Sequence, residues 1–251
     1  MTTLELKGLS KSFDGIKAVD QISIGFEQGH VTGLIGPNGA GKTTLFNLIS
    51  GFLKPDEGQV LFRDRNIAGL PTWKIARMGI GRLFQDVRVF AHMTAIDNVE
   101  VAFQQQIGEV PFCTLVAYPR SSREFRKCRE KALELLAFVG LEDKANVFAE
   151  DLSYGQQKLL SVARLLAVDA QVLLLDEPTS GVSPKMAERL MELAGDLAKS
   201  GRTVVFIEHN MNVVIQIADW VYFLSNGQMT FFGPPADVLG NPDVRKEYIG
   251  V

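Results

Sequence analysis

The stretch Gly36-Pro37-Asn38-Gly39-Ala40-Gly41-Lys42-Thr43-Thr44 constrains this chain more than any other. It fits the spacing G-x-x-x-x-G-K-[ST]. It also stands between Val31-Thr-Gly-Leu-Ile35, an apolar run of strand length, and a run in which Leu45, Leu48 and Ile49 share one helical face. A strand, a glycine-rich loop and a helix in that order make a phosphate cradle. Gly36, Gly39 and Gly41 lack Cβ atoms, so the backbone can curl until successive N–H groups point at one anion beside the positive end of the helix dipole. In such a cradle Lys42 reaches the β- and γ-phosphates and Thr43 holds Mg²⁺. A glycine-rich turn with a surface lysine gives the same letters, and the flanking strand and helix favour the nucleotide site.

Three further strand ends add polar groups. Gln171-Val-Leu-Leu-Leu-Asp176-Glu177-Pro178 places consecutive apolar residues before two acids, the pattern of a central parallel strand buried on both faces. Asp176 there is placed to hold Mg²⁺, and Glu177 to polarise an attacking water. Thr203-Val-Val-Phe-Ile207 reads as a second buried strand, ending at Glu208-His209, where His209 can sense a γ-phosphate. Ile80-Gly-Arg-Leu-Phe84 ends at Gln85, which either ligates Mg²⁺ and orients water or makes ordinary loop hydrogen bonds. His30 and His92 have no such placement.

Leu4-Glu-Leu-Lys and Ile22-Ser-Ile-Gly-Phe26 alternate as half-buried antiparallel strands do, with Lys11-Ser-Phe-Asp-Gly15 between them as a turn. Phe13 in that turn is either a stacking surface for a purine or a casual surface or core aromatic. From Asp86 to about Asp151 the pattern becomes helical. Residues 95–103 and 122–139 read as helices, the second carrying Phe125, Ala132, Leu135, Leu136 and Val139 on one face. Residues 104–119 read as an irregular connection. Arg120, Arg123, Arg126, Lys127 and Arg129 read as a solvated helix face in preference to a membrane or partner contact, because Glu124 and Glu130 interrupt them. Ser153 and Gln156 in Leu152-Ser-Tyr-Gly-Gln-Gln157 fit a capping box at the start of an amphipathic helix through Ala167, and a helix start can also grip an anion. Ser183 to Lys199 reads as a helix, and Val221-Tyr-Phe-Leu with Gln228-Met-Thr-Phe-Phe232 as a hairpin turned by Asn226-Gly227.

A chain of 251 residues suits one main domain with an insertion. The net charge of −3 gives no overall basic field for nucleic acid or anionic lipid. Cys113 and Cys128 lack metal-ligand spacing and read as reduced thiols of a cytoplasmic protein. The N-terminus is charged where a signal peptide is apolar, and no apolar run is long enough to cross a bilayer.

Taken together, these motifs resemble those of ABC-transporter ATPase subunits over the whole chain. GPNGAGKTT is similar to Walker A, Gln85 to the Q-loop residue, LSYGQQ to the ABC signature, LLLDEP to Walker B, and His209 to the switch histidine. Ile49-Ser-Gly-Phe52, Arg82-Leu-Phe-Gln85, Glu208-His-Asn-Met211 and the ending Asn241 to Gly250 resemble the ATPases of branched-chain or related amino-acid importers. Two positions depart from the family pattern. Tyr154 stands where glycine is commonest in the signature, a variant that also looks familiar from amino-acid importers, and Ser183 stands where an aspartate is usual in the D-loop.

The resemblance implies an α/β P-loop NTPase fold with a mostly parallel core sheet, an N-terminal antiparallel β subdomain and an inserted α-helical subdomain. Residues 1–85 and 152–251 would form the ATP-binding core. Residues 86–151 would form the body of the insertion, whose signature helix continues to about 168. It further implies ATP and Mg²⁺ as ligands, with Phe13 stacking the adenine and with Thr43, Gln85 and Asp176 at the metal. Glu177, His209 and Gln85 would be catalytic. Two such domains would meet head to tail, so that Ser153, Tyr154, Gly155 and Gln156 of one contact the ATP of the other.

The implied partners are two multispanning permease subunits, touched by Asp86 to Phe90, a second identical or homologous ATPase, and indirectly an extracytoplasmic solute-binding protein. No nucleic acid is expected. The implied location is the cytoplasmic face of the inner or plasma membrane. Two alternatives are the ATPase of a lipid or lipopolysaccharide exporter and a soluble ABC ATPase without a permease.

Overall fold

The computed structural model describes residues 1–103 and 118–249, with side chains over 1–103 and 125–247. Apolar–polar alternation at the N-terminus builds two long antiparallel strands, β1 (Thr2–Phe13) and β2 (Ile16–Glu27). Leu4, Leu6, Ile22, Ile24 and Phe26 are buried, whereas Gln21, Ser23 and Gly25 are exposed or half-buried. The expected turn over Lys11-Ser-Phe-Asp-Gly15 is corrected. Pairing continues to Phe13 opposite Ile16, because Asp14 and Gly15 (φ 47° and 84°) form a two-residue turn whose twist matches that of the strands.

The chain continues through β3 (Val31–Ile35), α1 (Lys42–Ile49), β4 (Glu57–Phe62), β5 (Arg65–Asn66), α2 (Thr72–Arg77) and β6 (Ile80–Leu83). Helices α3 (Ala95–Glu100), α4 (Tyr118–Val139) and α5 (Tyr154–Ala167) come next, followed by β7 (Val172–Asp176), α6 (Pro184–Lys199) and β8 (Thr203–Ile207). The chain closes with α7 (Met211–Ile217), β9 (Trp220–Ser225), β10 (Gln228–Gly233), α8 (Pro235–Gly240) and α9 (Pro242–Ile249). It forms two compact units, one of residues 1–85, 171–180 and 184–251, the other of residues 86–170 and 181–183.

The first unit holds two sheets. One is antiparallel, in the order β2-β1-β4-β5, and the other has the order β10-β9-β3-β8-β7-β6, parallel except at β10. All five residues of β3, β7 and β8 are buried, which explains why these strands are continuous apolar runs. Leu45, Phe46, Leu48 and Ile49 of α1 join a single core cluster with both sheets. Each such side chain contributes about 1.5–3 kcal/mol on burial. The register aligns Leu34 with Ile207, Asp176 with Ile207, and Leu83 with Leu175, so the strands end level with one another. Their carboxyl ends flank a reversal of strand order around β3, where open α/β sheets bind ligands.

In the second unit α3, α4 and α5 pack together over Ile96, Val99, Leu136, Val139, Leu160 and Ala163. Thr94 caps α3 by accepting from Asp97 N. Asn98 is completely buried. Its Nδ2 donates to the carbonyls of Phe90, Met93 and Thr94 at 3.0–3.3 Å, and its Oδ1 accepts from Phe90 N at 2.9 Å. Phe125, expected on the apolar face of α4, is 64% exposed, and only Ala132, Leu136 and Val139 of that set are fully buried. Helix α4 begins at Tyr118, so Pro119 stands in its first turn, where its missing N–H costs nothing. Residues 104–117 of the expected connection, with Cys113, lie outside the described residues, as do the side chains of Arg120 and Arg123. Arg126 and Lys127 are exposed, and Arg129 pairs with Glu100 at 3.2 Å. Among the described residues no helix is long and apolar enough to cross a membrane.

Candidate functional site

The loop between β3 and α1 closes on its own glycines. A Cβ on Gly36 would lie 2.0 Å from the Leu224 carbonyl oxygen, and one on Gly41 would lie 2.2 Å from that of Ala18. At both positions φ is positive, 149° and 101°, so glycine is required by space and by conformation alike. Helix α1 starts at Gly41 with no side-chain cap and no acid in its first turn, which leaves its leading N–H groups for a ligand. Lys42 is 6% exposed and folds back to donate to the Gly36 and Pro37 carbonyls at 2.7 and 2.9 Å. Burial lowers its pKa, while Glu177 and Asp176 oppose the shift.

A cavity of about 190 Å³ opens here, lined by Ala18, Asn38 to Thr44, Glu177, Ile207 and His209. The ends of β6, β7 and β8 meet at its edge through Glu177. The Glu177 N–H donates to the Ile207 carbonyl at 3.0 Å, which continues the β7–β8 ladder one residue past Asp176. Its Oε2 accepts from Gln85 Nε2 at 2.9 Å, and its Oε1 lies 3.1 Å from His209 Nε2. Glu177 takes the left-handed conformation (φ 47°), a strained setting for a residue with a side chain. The carboxylate is thus held at both oxygens beside the glycine loop.

Two participants escaped the sequence reading. Arg82 in β6 donates to Asp176 Oδ2 at 2.6 Å, with both side chains under 8% exposed. Glu208 is 4% exposed and accepts from Thr179 N (2.9 Å) and Oγ1 (2.6 Å), which ties the end of β8 to the loop after β7. The signal for both was a charge next to or within an apolar run, because a charge so placed needs a partner.

The ABC transporter family model matches residues 19–180. The chain belongs to that family. It is 40% identical to the high-affinity branched-chain amino acid transport ATP-binding protein LivG of Salmonella typhimurium, over 98% of this chain and 97% of that one. To the corresponding protein BraF of Pseudomonas aeruginosa it is 39% identical, over 98% and 97%. Its fold matches that of an ATP-binding cassette of an ABC transporter in an ADP conformation, with a TM-score of 0.84, 33% identity and full coverage of both chains. A dimeric cassette bound to ADP and Pi also matches, with a TM-score of 0.76, 28% identity, and 92% and 98% coverage. The chain is thus an ABC ATPase, with the P-loop NTPase fold that its motifs implied.

The remaining motif residues are described each within its own unit. Phe13, at the end of β1, is 43% exposed and is not among the lining residues; Lys11 Nζ stands 5.6 Å from its ring centroid. At the start of α5 the capping box is formed, with Gln156 N donating to Ser153 Oγ at 3.3 Å and Ser153 N donating to Gln156 Oε1 at 2.9 Å. Tyr154 is 40% exposed, Gly155 is buried, and Lys158 one turn on is fully buried with Nζ 5.2 Å from the Tyr154 ring.

Proposed function

We propose that this chain is the ATP-hydrolysing motor subunit of an importer for branched-chain or related amino acids. The observation that carries the catalytic part is Glu177, held by Gln85 and His209 against the phosphate cradle. In this reading the N–H groups of the loop from Gly36 to Thr44 bind the triphosphate, and Lys42 exchanges its two carbonyl partners for β- and γ-phosphate oxygens. Phe13 stacks the adenine. Glu177 takes a proton as water attacks the γ-phosphorus, the bond to the bridging oxygen breaks, and ADP and inorganic phosphate result. Gln85 and His209 keep the carboxylate aimed.

The donor set near the cradle suits Mg²⁺. Thr43 offers a hydroxyl, Gln85 an amide and Asp176 a single carboxylate, and among the described residues there is no cluster of three or more His, Cys, Asp or Glu that could hold a metal alone. Magnesium is commonly held by one or two carboxylates and substrate phosphates, where it neutralises charge on the transferring phosphoryl group.

Two ATPase subunits would close head to tail around two ATP molecules, with Ser153, Tyr154, Gly155 and Gln156 of each reaching the other's γ-phosphate. Closure would drive two multispanning permeases at the cytoplasmic membrane face, with solute delivered by an extracytoplasmic binding protein. The identity with LivG and BraF supports an amino acid as the solute. Mild-detergent co-purification from native membranes tests this reading. Recovery of two permeases with an amino-acid-binding protein is expected, whereas lipid-export components, or a soluble protein without permeases, would overturn the importer assignment.

A further inference from the structure

Arg82 is the least expected side chain in β6. It sits 6% exposed between Gly81 and Leu83, in a strand whose other residues are buried. Its guanidinium centre lies 4.9, 5.7 and 5.9 Å from the ring centroids of Phe84, Phe46 and Phe52. Those rings confine the planar group. NH1 donates to Asn47 Oδ1 at 2.6 Å and Ser50 Oγ at 3.3 Å, near the end of α1, while NH2 donates to Asp176 Oδ2 at 2.6 Å. Among the described residues no donor engages Asp176 Oδ1.

These contacts join three elements. β6 leads to Gln85, β7 ends at Asp176 and α1 begins next to Thr43, and these are the three residues assigned above to Mg²⁺. We propose that Arg82 is a positioning residue: by gripping one oxygen of Asp176 and the frame of α1, it fixes the carboxylate so that Oδ1 meets the cation. This rests on the nucleotide and Mg²⁺ reading above. A buried carboxylate gripped at one oxygen by a planar, confined donor cannot rotate, so its second oxygen presents a single direction. Groups that orient a metal ligand in this way change metal affinity by about 10–100-fold when altered.

The test is the Mg²⁺ concentration for half-maximal enhancement of binding of a fluorescent non-hydrolysable ATP analogue, compared with analogue binding in EDTA. Arg82→Lys retains the positive charge and loses the planar fork, so a shift in this variant reports orientation. A rise of about tenfold in the Mg²⁺ midpoint with unchanged binding in EDTA is expected. Asn47→Leu, which removes the shorter of the two NH1 contacts and leaves that to Ser50, should raise the midpoint in the same direction by less, and it decides the matter should Arg82→Lys fail to fold. A midpoint unchanged in the folded variants, or an equal loss of binding with and without Mg²⁺, overturns the proposal while leaving the nucleotide site standing. Failure of the unsubstituted protein to bind the analogue at all overturns the nucleotide reading, and this inference with it.

Discussion

Helices α1 and α5 both begin at a point where an anion can be gripped, yet they begin in opposite ways. At α1 the cap is a glycine, no side chain satisfies the leading N–H groups, and Lys42 is folded into the loop behind them. At α5 Ser153 and Gln156 cap each other's backbone, so part of the donor capacity is already used and the start is stable without a ligand. An unsatisfied helix start relies on its ligand, whereas a capped one keeps its shape until a ligand arrives. In the function proposed above, the first binds ATP by its own means and the second completes a site on another subunit.

The largest effect that bears on this contrast is at the chemistry beside α1. Glu177→Gln should lower ATP hydrolysis by about 10²–10⁴-fold in the assembled transporter while nucleotide binding by the single chain is retained. Turnover at the unsubstituted rate would remove Glu177 as the base. At the other helix, Ser153→Ala should cost about 1 kcal/mol of stability through loss of the cap, seen as a lower midpoint in denaturant. It should also weaken ATP-dependent dimerisation, measured by sedimentation, with binding by the single chain intact. Weaker binding by that single chain would collapse the distinction between the two starts.

The smallest effect concerns Lys42. Burial lowers its pKa in the folded state, so the unfolded chain binds more protons across the window below the ordinary lysine value of 10.5. Stability of the unsubstituted protein should therefore rise with pH through that window relative to Lys42→Met. The difference between their melting temperatures, followed from pH 8 to 10.5 without nucleotide, measures it. A flat difference would mean that Lys42 is less enclosed than the structure has it.

Much of this was legible in the chain. β3, β7 and β8 are short apolar runs because both their faces are covered, and polar groups at their ends announce a site in any sheet of this kind. Alternation was a weaker guide in β1 and β2. Register shifts interrupt their pairing, and a tight Asp14-Gly15 turn extends it into residues that read as a loop. Helix α7 went unread because its seven residues, Met211-Asn-Val-Val-Ile-Gln-Ile217, are too few to show a helical period. Phe125 was misplaced by the reverse error, since helical spacing sets a direction but not what covers it. The contacts of Arg82 with Asp176 and Asn47 span 94 and 35 residues, and no local pattern encodes a partner at that distance.

The buried amide of Asn98 has a mechanical side. It holds both the N–H and the carbonyl of Phe90 along with two further carbonyls, so the segment from Phe90 to Thr94 is braced onto α3 at several points. A braced segment behaves as a rod rather than a spring. A load applied at Phe90 would be shared among several hydrogen bonds to α3 instead of falling on one.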